Sequence, residues 1–138
     1  MATSFIDANV IIRYLVEEPE TVPKKFKGVY SFFQKIEMGE IKIELTELVL
    51  FETFFVLTNL YKIPSKTVSA TLAQLISFKG IELPNKKIIT ACLKILQKKS
   101  MDLVDAYLIA LSKEKGIKGI YSFDKDLEKS GLRLLEVT

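Results

Sequence analysis

The chain has 138 residues, no histidine and a single cysteine, Cys92. That length is enough to bury one real core without disulfides or a structural metal, while the missing histidines exclude a Ser-His-Asp triad, a Cys-His pair and any imidazole metal site, and one cysteine excludes a four-thiolate zinc site. The net charge of +3 and pI near 8.9 lean weakly towards polyanionic partners, or equally reflect a lysine- and glutamate-rich thermophilic composition.

In chain order, the pattern predicts a strand over 3–7, then a helix over 9–17 that stops near Pro19. The stretch PKKFKGVYSFFQKIEMG carries Val29, Phe32, Phe33 and Ile36 at helical spacing, with Gly39 as its stop. A half-buried strand is predicted over 41–45, followed by a helix capped by Thr46 that runs to about Lys62 before Pro64. Ser65 caps a further predicted helix ending near Gly80, and 81–83 is a short strand. Asn85 caps the amphipathic KKIITACLKILQKK, in which Cys92 falls at core spacing. A helix from about Asp102 to Lys115 is closed by Gly116, and strands follow over 119–122 and 133–137.

Short apolar strands alternating with helices predict one α/β domain, 1–138, with a mainly parallel sheet covered on both faces. Nothing approaches the roughly 18 consecutive apolar residues of a membrane span. The amino terminus also lacks the basic and apolar regions of a signal peptide. With Cys92 unable to form an internal disulfide, a reducing cytoplasm is the expected compartment, away from any membrane.

In such folds ligands gather beyond the carboxyl ends of the strands, and that is where the acids fall. The chain has five aspartates against twelve glutamates. Asp7 follows the first predicted strand, Asp124 and Asp126 follow the strand ending in Ser122, and Asp102 and Asp105 open an otherwise apolar helix. Helix capping explains Asp7, Asp102 and Asp124 singly. It explains Asp105 badly, because Val104, Leu108 and Ile109 surround it within the helix. Glu52, in LVLFETFFVL, is either a lone glutamate on a narrow solvent stripe or a carboxylate aimed at a polar pocket beside Asp7. Should Asp7, Glu52, Asp105 and Asp124 converge, oxygen-only ligands favour Mg²⁺ or Mn²⁺. A metal-acidified water could then attack a phosphodiester without histidine.

These segments resemble the PIN-domain family of metal-dependent nucleases over essentially the whole chain. FIDANVIIRYL is similar to the family's first motif, which implies Asp7 as first acid and Asn9 as its polar companion. ELVLFETFFVL carries the acid of the third helix, Glu52. LVDAYLIALSKEKG resembles the third motif, with Asp105. YSFDKDL resembles the last, with Ser122 as the hydroxyl and Asp124 as the fourth acid. The resemblance implies a three-layer α/β/α sandwich, a catalytic Mg²⁺ or Mn²⁺ pocket and endonuclease cleavage of RNA. It also implies kinship with the toxin halves of VapBC-type toxin–antitoxin pairs, dimeric and inhibited by an antitoxin protein. Asp102 and Asp126 are extra acids beside the assigned ligands, and Arg13 and Lys125 are candidates for contacting phosphate.

Two alternatives keep the fold: a non-catalytic domain binding RNA or protein, and a structure-specific DNA nuclease. The aromatic segments VYSFFQKI and LFETFFVLTNLY either fill one core or leave an apolar surface that favours a symmetric homodimer.

Overall fold

A computed structural model describes residues 2–138 as two compact units, one ending at Pro84 and one running from Asn85 to Thr138. In the first unit α1 (Ala8–Val16) begins where Asp7 accepts a hydrogen bond from the Ala8 N–H at 2.8 Å. The early capping shortens what precedes it. The strand predicted over 3–7 is reduced to a single parallel bridge, Phe5 to Glu44, with the Ser4 carbonyl accepting from the Glu44 N–H at 2.8 Å.

After Pro23 the chain makes a short 3₁₀ turn (Lys24–Phe26) and only then enters α2 (Gly28–Met38), which Gly39 closes at φ +83°. α2 packs on α1 through Tyr14 and Phe33, whose rings stack at 4.2 Å. β1 (Ile43–Glu44) pairs in parallel with β2 (Ile81–Glu82), Ile43 opposite Ile81. Between them lie α3 (Glu47–Asn59) and α4 (Ser65–Ile76). Thr46 caps α3 as expected, its hydroxyl accepting from the Val49 N–H at 3.2 Å.

Two predicted boundaries shift for backbone reasons. α3 ends at Asn59 rather than Lys62, because Lys62 takes the left-handed conformation (φ +57°) and lets the Ile63 N–H reach back to the Leu57 carbonyl at 3.1 Å. α4 ends at Ile76 rather than near Gly80, and Ser65 is its first residue, with Pro64 in the cap position. Gly80 is not a helix stop. It sits where a Cβ would collide with the Ile41 carbonyl, so the chain can approach β1 only without a side chain. The core of this unit gathers Ile11, Phe33, Ile36, Leu45, Leu50, Leu57 and Leu72, all essentially sealed from solvent.

In the second unit α5 (Lys86–Lys98) packs against α6 (Leu103–Lys115). Asn85 holds the cap position of α5 at φ +59°, and its carbonyl accepts from the Ile88 and Ile89 N–H groups. Cys92 lies in this seam, fully buried, and burial pushes its thiol up to about 12. Its role is that of a small core residue. Beyond α6, β3 (Gly119–Tyr121) pairs in parallel with β4 (Arg133–Leu135), Ile120 opposite Leu134. Between them a second 3₁₀ segment (Lys125–Ser130), unforeseen from the pattern, brings Leu127 onto Ile109 and Leu132. Among the described residues the pairings, two two-stranded sheets and one bridge, are all parallel, in keeping with an α/β fold. Among the described residues no helix is long and apolar enough to cross a membrane.

Candidate functional site

Four of the five aspartates lie in the second unit, and the charges of Asp102 and Asp124 reach Asp105. Asp102 caps α6, its carboxylate accepting from the Val104 N–H at 3.4 Å, and Asp105 follows within the first helical turn. Asp124 caps the second 3₁₀ segment, accepting from the Asp126 N–H at 2.9 Å. Its own N–H is held by the Ser122 hydroxyl at 3.0 Å. The turn from β3 is thus locked by two local hydrogen bonds that fix where the Asp124 carboxylate starts from. Asp105 is the half-buried member. Burial first, then the charges of Asp102 and Asp124, hold its carboxyl above the ordinary aspartate range. Asp126 and Lys125 are exposed beside it in sequence.

In the first unit, Asp7 caps α1 and is exposed, as is Asn9 in the first turn of the same helix. Glu52 lies on α3, which packs against α1. The helix is apolar almost all round, yet Glu52 is exposed, on a stripe shared with Leu48 (81% exposed), Phe55 and Asn59. The buried side is supplied by Leu50, Thr53, Phe54 and Leu57. Glu52 therefore stands on the solvent-facing side of α3.

The candidate donors are carboxylates alone, a chemistry that suits a hard divalent cation. The mutual repulsion at Asp105 is what such a cation would relieve. Among the described residues, no group of three or more acidic or thiol side chains is drawn tightly enough to hold a metal by itself.

One feature of the first unit escaped sequence reasoning. A groove of about 490 Å³ opens between α1 and the segment leading into α2, lined by Asn9, Val10, Arg13, Lys25, Phe26 and Phe32 among others. The Arg13 guanidinium lies 4.2 Å from the centre of the Phe26 ring and is held at 2.8 Å by Glu17. The Lys25 ammonium lies 4.9 Å from the same ring. The clue available beforehand was the run KKFK, in which basic residues surround an aromatic one.

A family model described as "PIN domain" matches residues 4–131. The chain belongs to the PIN domain family. It is also similar to a VapC ribonuclease of Aquifex aeolicus (strain VF5), 22% identical over 128 residues that cover 93% of this chain and 92% of that protein. The family's α/β character agrees with the short parallel strands set between helices. Membership supports a nuclease, a hydrolase of phosphodiester bonds. The PIN match runs through both units, from the strand segment before Asp7 to the turn after Asp124.

Proposed function

We propose that this chain is a Mg²⁺- or Mn²⁺-dependent endoribonuclease that hydrolyses RNA as the toxin of a toxin–antitoxin pair. The observation that carries the reading is the PIN match over 4–131, with a VapC ribonuclease among the chain's relatives. In this reading 1–138 is one nuclease domain with the three-layer α/β/α architecture of its family. It works in the cytoplasm as a homodimer restrained by an antitoxin protein.

Asp7, Glu52, Asp105 and Asp124 are the proposed oxygen donors to the metal. A divalent cation held by them would supply Lewis-acid chemistry, making water acidic enough to attack at neutral pH and offsetting charge at the phosphate. The protein's own contribution is to hold the donors ready. Ser122 fixes the turn that carries Asp124, and Asn9 stands in the helical turn that Asp7 caps, where its amide can orient a ligand or water. Asp102 anchors the start of α6 and keeps a second negative charge near Asp105. Asp126 supports Asp124 by donating its backbone N–H. Arg13 and Lys125 meet phosphate in this reading.

Side-by-side digestion of a single-stranded RNA and its DNA counterpart with Mg²⁺ or Mn²⁺ tests the proposal. RNA should be cut internally and DNA left intact. Equal digestion of DNA would make the chain a DNA nuclease, and binding of RNA without cleavage would make it a non-catalytic domain.

A further inference from the structure

The groove between α1 and the 3₁₀ turn has the chemistry of a nucleotide pocket. Its apolar wall is Val10, Phe26, Val29 and Phe32, and its polar groups are the Asn9 amide, the Arg13 guanidinium and the Lys25 ammonium. A volume of about 490 Å³ is that of a small-ligand site rather than of a packing defect. Two cations stacked on one aromatic ring, 4.2 and 4.9 Å from its centre, are an arrangement suited to an anion that also presents a flat apolar face.

The cations differ in freedom. Arg13 is already engaged by Glu17 at 2.8 Å and by the Phe26 ring, so its planar head is fixed in place. Lys25 is exposed, and among the described residues it forms no ion pair. It is the charge left over for a phosphate. At the groove's other end Asn9 lies two residues from Asp7, on the helix that Asp7 caps. Sequence reasoning reached Arg13 alone and gave no role to Lys25 or Phe26.

We propose that this groove binds one nucleotide of single-stranded RNA, its base against Phe32 and Val29 and its phosphate on Lys25 and on the Arg13 that Phe26 holds in place. The proposal rests on the ribonuclease reading and specifies how this chain holds its substrate. The base contact is sequence-tolerant, because every base has a π-face, and the phosphate contact is salt-sensitive.

The test is fluorescence anisotropy of the full-length protein with a labelled RNA 8-mer in EDTA, repeated over a salt series. An abasic oligonucleotide and a cleavage assay in Mg²⁺ are run in parallel. Phe32→Leu keeps an apolar side chain for folding and leaves the Phe26 ring that holds Arg13, and Lys25→Gln changes only an exposed head group. Phe32→Leu should weaken RNA binding roughly five- to a hundred-fold, the range of one base–aromatic stack, with the salt slope unchanged. It should leave binding of the abasic oligonucleotide as it was. Lys25→Gln should lower the slope of log K against log salt by about 0.7, one phosphate contact on a single strand. RNA affinity and salt slope unchanged in both variants, with wild-type binding and cleavage intact, would overturn this pocket, leave the groove to a protein segment and let the nuclease reading stand. Wild-type protein that neither binds nor cuts RNA would remove both.

Discussion

The carboxylate of Asp124 acts on that of Asp105. Burial is the first cause that lifts the Asp105 pKa above the ordinary aspartate range, and the charges of Asp102 and Asp124 add to it. A raised carboxyl pKa means that the folded state holds this proton more tightly than the unfolded chain does. Stability is therefore lost as pH rises from the unfolded aspartate value, near 3.9, through the folded one. Asp105→Asn removes that loss. In EDTA its urea midpoint should exceed the wild type's at pH 7, and the gap should close as pH falls to about 4. A gap that widens on acidification would contradict the sign.

Asp102 and Asp105 separate by function. Asp102 is the cap of α6, and Asn caps as well as Asp does. Asp102→Asn should leave stability and RNA cleavage close to wild type, and Asp102→Ala should cost about 1 kcal/mol. Asp105→Asn should reduce cleavage by orders of magnitude while folding normally. The reverse ranking would show that the third-motif ligand is Asp102.

Gly80 offers a stability test independent of the site. A Cβ there meets the Ile41 carbonyl and the Ile36 backbone, while the Gly80 N–H donates to the Ile36 carbonyl at 2.8 Å. The neighbours are backbone, so relief requires moving the last turns of α2 or the segment that leads into β1. Gly80→Ala should destabilise by about 1–3 kcal/mol or more in chemical denaturation. A neutral substitution would mean that the close approach is not maintained in solution.

The exposed apolar residues of the α3 region bear on self-association. Leu48 is 81% and Leu60 73% exposed, with Phe55 and Tyr61 beside them. An apolar stripe of this kind favours a symmetric dimer. Light scattering at micromolar concentration should give twice the chain mass for wild type and the monomer mass for Leu60→Glu, which lies beyond the helical stripe that carries Glu52. A monomeric wild type would remove the dimer from the proposal.

How much of this was legible follows from where each signal is stored. Thr46, Asp102, Gly39 and Gly116 act as caps and stops in the structure, because capping is local chemistry. The helix expected to end near Gly80 ends at Ile76, and the reason for a glycine at 80 is a neighbour 39 residues earlier, Ile41, which no local pattern can reveal. The segment 3–7 looked like a full strand, but Asp7 turns it into α1 after one bridging residue. Glu52 looked anomalous because α3 is apolar all round, and in such a helix periodicity does not say which face meets solvent. The acids themselves stood out by residue type and motif order. The pocket around Phe26 did not, because it depends on the 3₁₀ turn that sets Lys25 and Phe26 against Arg13.

The central claim is metal-dependent RNA cleavage by the four acids, and one digestion series addresses it directly. Wild type and Glu52→Gln are incubated with single-stranded RNA in Mg²⁺, in Mn²⁺, in excess EDTA, and in EDTA followed by restored metal. Glu52 is exposed, so the variant should melt within about 0.5 kcal/mol of wild type without metal. The account predicts internal cuts by wild type with either cation, none in EDTA and recovery on restoration. It also predicts cleavage lower by orders of magnitude in Glu52→Gln. Full wild-type activity in EDTA would contradict the metal chemistry, and a fully active Glu52→Gln would contradict the four-acid site.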